Sequence, residues 1–100
     1  MRSRYTAYAL SIPKYIIKTT HPLNIDFQKD TISWEKDILE FSKNYVFEKL
    51  TIIEFIESEP TSFVTFRAQI TCKENDHTFH EKSSFEKINN SWMYLKAIIR

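Results

Sequence analysis

A chain of 100 residues, 42% hydrophobic and 27% charged, has the composition and length of one globular domain, residues 1–100, and is not of the disordered class. With 14 Lys and Arg against 13 Asp and Glu, the net charge of +1 supplies no large electrostatic term of the kind that nucleic-acid binding uses. The absence of glycine excludes phosphate loops, dinucleotide fingerprints and nucleophile elbows, which need backbone approach or positive φ, and leaves Asn, Asp and Pro to make the turns.

In chain order, Tyr5, Tyr8, Ala9 and Ile12 recur at the spacing of one buried helical stripe, with Arg2 and Arg4 near its start. Pro13 restricts Ile12 and opens a second, short helix over Lys14–Thr20, which His21-Pro22 stops. A third helix is predicted from Ser33, a capping residue type, with Trp34, Ile38, Phe41 and Tyr45 along its apolar face. Beyond Tyr45, β-branched and aromatic density predicts four strands at about 46–57, 62–73, 77–88 and 91–99. Helices first and strands after give an α+β domain, with the helices packed on a curved antiparallel four-stranded sheet. In the second strand Val64, Phe66, Ala68, Ile70 and Cys72 share one face, opposite Phe63, Thr65, Arg67, Gln69 and Thr71.

Asn75-Asp76 and Asn89-Asn90 are turn-forming pairs. If each is the centre of a two-residue hairpin, Cys72 faces Phe79, Ile70 faces Glu81, Phe66 faces Phe85, Phe85 faces Tyr94, and Ser83 faces Lys96. Glu81, Ser83 and Lys96 then stand among Phe66, Ile70, Phe79, Phe85, Trp92, Tyr94 and Ile98. A carboxylate on such a face must be paired, protonated or reached by water. One reading is a structural ion pair, since Lys96 is a diagonal neighbour within about 7–8 Å. The other is a pocket in which Glu81 is the acid/base residue.

The remaining polar residues carry less. His21 at a helix end, His77 near a turn and His80 on the outer face read as capping or surface residues, and Cys72 as a small core residue. One cysteine and three scattered histidines give no internal disulfide and no metal-ligand spacing, so neither metal nor cofactor is expected. Arg2 and Arg4 with Tyr5 and Tyr8 make either an anion-binding cluster or a solvated helix face. The apolar runs are short and Met1–Ile12 lacks the form of a secretory signal, which predicts a cytoplasmic chain without a membrane partner.

The run Met1-Arg2-Ser3-Arg4-Tyr5-Thr6-Ala7-Tyr8-Ala9 resembles the opening of the middle domain of YchJ-like proteins. The segments Tyr15–Pro22, Phe63–Ala68 and Glu81–Phe85, followed by Trp92-Met93-Tyr94, are similar to that family's second helix, second strand and closing hairpin. The resemblance covers nearly the whole chain. It implies a cone similar to nuclear transport factor 2 and ketosteroid isomerase, in which helices close over a curved sheet, and it implies no particular reaction. Longer members carry Cys-rich SEC-C zinc-binding segments on either side, which this sequence lacks. The family pattern also tends to place Arg at the positions of Gln69 and Ser84, and an acidic residue followed by Gly at Lys96-Ala97.

Three functions compete on this reading. The first is a non-catalytic accessory or binding module whose cone pocket takes a small molecule or a protein partner, with Arg2, Arg4, Tyr5, Tyr8, Ser83, Tyr94 and Lys96 as ligand-binding residues. The second is an isomerase- or hydratase-type enzyme, with Glu81 as catalytic proton shuttle and Tyr5, Tyr8 or Tyr94 as donors to a developing oxyanion. The third is association through an outer sheet face bearing Thr65, Arg67, Gln69, Lys82 and Ser84; that face is polar, so a monomer or weak homodimer is expected.

Overall fold

The computed structural model describes residues 1–99. Helices α1 (Arg2–Ala9), α2 (Pro13–Lys18) and α3 (Thr31–Asn44) precede strands β1 (Val46–Ile56), β2 (Thr61–Cys72), β3 (Asn75–Asp76), β4 (Phe79–Ile88) and β5 (Ser91–Ile99). The sheet runs β1-β2-β4-β5 with every neighbouring pair antiparallel, and the two-residue β3 pairs with β2. The expected helix-then-strand order holds, with one short extra strand.

Helix α1 ends because Ser11 takes a left-handed conformation (φ 55°), and Pro13 then supplies the first turn of α2. That reversal carries Ile12 away from the core. The buried stripe of α1 is therefore Arg4 and Ala7 with Tyr5 and Tyr8 half-buried beside them, while Ala9 and Ile12 are exposed. Helix α3 starts earlier than Ser33, because Asp30 is the cap. Its carboxylate accepts from the amides of Ile32 (3.1 Å) and Ser33 (3.2 Å) and from the Ser33 hydroxyl (3.0 Å). These bonds hold the Asp30 carboxyl below the usual carboxylate range. Trp34 and Ile38 then point inward to Ala7 and Ile16, one of two buried clusters; the other is Val64, Phe66, Ala68 and Phe85 on the sheet.

The hairpin between β2 and β4 corrects the expected register. Its turn lies at Lys73-Glu74, both left-handed (φ 51° and 67°), so Cys72 pairs with Asn75 rather than Phe79, and Phe79 lies opposite Ala68. The pairing has slipped four positions along β2. An even slip leaves every side chain on its expected face, so Glu81, now opposite Phe66, still points to the core and is 8% exposed.

At the second hairpin, Asn89 and Asn90 (φ 49° and 65°) make the expected turn, and Phe85 lies opposite Tyr94. An irregularity between Ser84 and Phe85 then moves Lys96 opposite Ser84 instead of Ser83. Lys96 consequently leaves the core face and is exposed, so the register does not bring it to Glu81 as a regular hairpin would.

Neither Lys nor Glu favours positive φ, and each left-handed residue of this kind costs about 1–2 kcal/mol. The double substitution Lys73→Asn with Glu74→Gly is expected to raise the unfolding free energy by about 1–2 kcal/mol in urea denaturation, since Asn-Gly suits two positive-φ positions. A turn centred on Asn75-Asp76 would instead give no gain.

Candidate functional site

Between the helices and the concave face of the sheet lies a half-open cavity of about 1030 Å³. Each element contributes through its inward stripe: Arg4, Tyr5 and Tyr8 from α1, Trp34, Ile38 and Phe41 from α3, Phe47 from β1, Phe66, Ala68 and Ile70 from β2, Phe79 and Glu81 from β4, and Tyr94 from β5. The walls are aromatic. Tyr8 stacks on Phe47 (6.2 Å, 11°) and meets Phe41 edge-on (5.5 Å), while Phe66 and Phe79 meet edge-to-face at 5.9 Å.

Asp26, Gln28, Asp37, His77, Thr78 and His80 also line the cavity, and a second polar group is centred on Tyr94. Its hydroxyl donates to Glu81 Oε2 at 3.0 Å, and the fully buried Ser83 hydroxyl donates to the same oxygen. Over the Tyr94 ring, 4.8 Å from its centroid, sits the guanidinium of Arg4, which is only 6% exposed. Arg4 Nη1 donates to the Ile16 carbonyl (3.2 Å) and to the hydroxyls of Thr19 (2.8 Å) and Thr20 (3.1 Å), at the C-terminal end of α2, where a cation is favoured. Burial pushes the Arg4 guanidinium below its ordinary value, and the phenols of Tyr8 and Tyr94 act in the opposite direction. Burial also raises the Tyr8 phenol, against the pull of Arg4.

Tyr94 itself is pushed up to about 12, by burial first and then by Glu81. A folded-state value above the unfolded one means that the native state holds this proton more tightly. The stabilisation is complete below the ordinary tyrosine value near 10 and is lost as pH rises through about 12. Alkaline unfolding curves of Tyr94→Phe should accordingly fall less steeply across that window than those of the wild type; identical slopes would contradict this account of the Tyr94 environment.

Of the candidate residues, Arg4, Tyr5, Tyr8, Glu81 and Tyr94 all line this cavity. Ser83 lies behind it and serves Glu81. Arg2 is exposed, does not line the cavity, and belongs to the solvated side of α1; Lys96 is exposed on the opposite face of the sheet. His21, expected as a capping or surface residue, is instead 5% exposed, with Nδ1 accepting from the Leu23 amide (3.0 Å) and Nε2 meeting Glu86 Oε1 (3.2 Å). The chain on either side of it is laced onto β5: the His21 amide donates to the Tyr94 carbonyl (2.9 Å), the Tyr94 amide to the Thr19 carbonyl (2.8 Å), and Asn24 Nδ2 to the Leu95 carbonyl (2.6 Å). The backbone of Tyr94 is thus fixed by the segment after α2. No spacing rule identified that segment, although the Thr-Thr-His-Pro run marks it.

The family model for the middle NTF2-like domain of YchJ matches residues 1–97. The chain belongs to this family. The YchJ-type domain is 33% identical over 100 residues to a UPF0225 protein of Haemophilus influenzae, covering 99% of this chain and 59% of that protein. A UPF0225 protein of Yersinia pestis is 33% identical over 102 residues, covering 98% of this chain and 63% of that protein. The YchJ-type domain therefore spans about three fifths of the curated relatives it matches.

Among solved structures, a SEC-C motif containing protein from Rhodopseudomonas palustris superposes with a TM-score of 0.82 at 25% identity, covering 100% of this chain and 75% of that one. One from Psychrobacter arcticus gives 0.78 at 30% identity, over 100% of this chain and 58% of that one. An NTF-2 like protein of unknown function from Shewanella oneidensis, at 16% identity and a TM-score of 0.66 over 96% of this chain and 88% of that one, shares the fold. The cone implied by the opening motif is thus the fold of this YchJ-type domain. Among the described residues no helix is long and apolar enough to cross a membrane.

Proposed function

We propose that this YchJ-type domain is a non-catalytic cytoplasmic binding module whose cone cavity holds a small molecule with a flat apolar body and a hydrogen-bond donor, an amine or hydroxyl, directed at Glu81. The observation that carries this reading is the floor of the cavity, where Glu81 is oriented by Tyr94 and Ser83 and ringed by Tyr8, Phe66 and Phe79. A carboxylate held by fixed hydroxyls is a preorganised acceptor, and aromatic walls supply affinity without directional demand. A thermal-shift panel of aromatic amines, alcohols and carboxylic acids tests it, because molecules that prefer the native state raise the midpoint. Amines or alcohols should raise it, and Glu81→Gln should weaken the best of them about tenfold, roughly 1.4 kcal/mol. A flat response to every amine and alcohol, or an unchanged affinity in Glu81→Gln, would overturn the proposal.

An acid/base enzyme is the second reading, favoured by the same carboxylate in an aromatic cavity. Against it, the Tyr94 proton that would serve a developing oxyanion is directed at Glu81. Glu81-dependent exchange of solvent deuterium into a bound enolisable ketone would support the enzyme, and its absence the module.

A further inference from the structure

On the other side of Arg4 lies a second cavity of about 470 Å³, within the range of about 300–1,000 Å³ typical of ligand pockets. Arg4 and Met1 are common to both linings; the remainder of this one comes from α1, α2 and the far ends of β1, β2, β4 and β5. Phe55, Val64, Phe85, Trp92 and Met93 give it an apolar wall, and the exposed Lys18 shares its lining with Arg4. Among the described residues lining it there is no Asp or Glu. Arg4 Nη1 donates to a carbonyl and two hydroxyls, the Tyr8 phenol is a further neutral partner of the guanidinium, and among the described residues no carboxylate comes within ion-pair distance of it. A guanidinium that is 6% exposed and satisfied by neutral oxygens and one ring is a desolvated positive charge, which the Glu81 carboxylate of the larger cavity supports through space while among the described residues no carboxylate lines the smaller one.

We infer that this second cavity is a receptor for a small organic anion, a carboxylate on a flat apolar group, with the carboxylate between Arg4 and Lys18 and the apolar body against Trp92 and Phe85. A guanidinium with donors to spare takes a carboxylate in a planar, two-point contact, and an exposed lysine in the same lining adds long-range attraction. The hydroxyls of Ser3, Tyr15 and Thr19 add further polar groups to the lining, Thr19 accepting from Arg4. The inference is independent of the ligand proposed for the larger cavity.

The two tryptophans divide between the cavities, Trp34 in the larger and Trp92 in the smaller, so each is a local reporter. The probe is meta-bromobenzoate, whose bromine quenches indole fluorescence, with neutral meta-bromobenzamide as its control. In Trp34→Phe, the remaining Trp92 should be quenched saturably by the benzoate, and the amide should bind at least about tenfold more weakly. Lys18→Gln, at an exposed position, should leave folding intact and weaken the benzoate about three- to fivefold, with less dependence on salt. Equal affinity for acid and amide, quenching without saturation, or quenching confined to Trp34 in Trp92→Phe would each overturn the inference. The last would assign the anion to the larger cavity.

Discussion

Replacing His21 with alanine is expected to lower the unfolding free energy by about 2–4 kcal/mol, read from urea denaturation at neutral pH. The imidazole is buried and both ring nitrogens are engaged, so truncation leaves the Leu23 amide without its acceptor, takes from Glu86 its partner and opens a void beside β5. The damage should spread to the neighbouring bonds, because His21 lies in the segment that carries Thr20 alongside Tyr94 as a parallel bridge. Asparagine at the same position retains an acceptor two residues before the Leu23 amide, in the geometry of an Asx turn, and should recover part of the loss. A loss below about 1 kcal/mol would mean that the ring is a surface cap, as its position after a helix suggests.

Arg4→Ala is expected to cost about 2–4 kcal/mol. Three charge-assisted hydrogen bonds to the end of α2 and the stacking on Tyr94 disappear, offset by the desolvation that the guanidinium no longer suffers. Arg4→Lys keeps the charge but presents no planar group to the Tyr94 ring while reaching the carbonyl and both hydroxyls. It should still be about 1–2 kcal/mol less stable than the wild type. If Arg4→Lys matched the wild type, the geometry of the guanidinium would be irrelevant and its place above Tyr94 incidental.

The physical reasons why some of this was readable in the sequence are specific. Period-2 alternation from Val64 to Cys72 identifies the core face of β2 without any knowledge of its partner, and the even slip at Lys73-Glu74 left Glu81 on the predicted face even though its neighbour changed from Ile70 to Phe66. The turn itself was misplaced because Lys73 and Glu74 adopt positive φ against their own preferences, while the more turn-prone Asn75-Asp76 stand immediately beyond. Lys96 leaves the core face for a different reason: the irregularity at Ser84 and Phe85 has no residue that announces it, and one extra position reverses the faces as far as the next irregularity, at Lys82 and Ser83. The sequence places Arg4 in an anion-binding cluster or a solvated helix face and His21 at a capping or surface position; the burial of both depends on distant partners, Thr19 and Thr20 for one and Glu86 for the other. Long-range pairing of that kind leaves no local period.

Those buried polar residues connect the fold to the proposed site. The segment after α2 fixes the backbone of Tyr94, Tyr94 and Ser83 orient Glu81, and Arg4 covers the Tyr94 ring from the helical side. Removing either end of that chain should loosen the carboxylate before it empties the cavity, so His21→Ala is expected to weaken ligands directed at Glu81 in addition to lowering stability.

A crystal structure with the aromatic amine or alcohol that raises the melting midpoint most addresses the central claim directly. The ligand's ring is predicted to lie among Tyr8, Phe66 and Phe79, with its donor atom within about 3.2 Å of the Glu81 carboxylate. Density for that molecule on the outer face of the sheet, or in the larger cavity with its donor turned away from Glu81, would contradict the account.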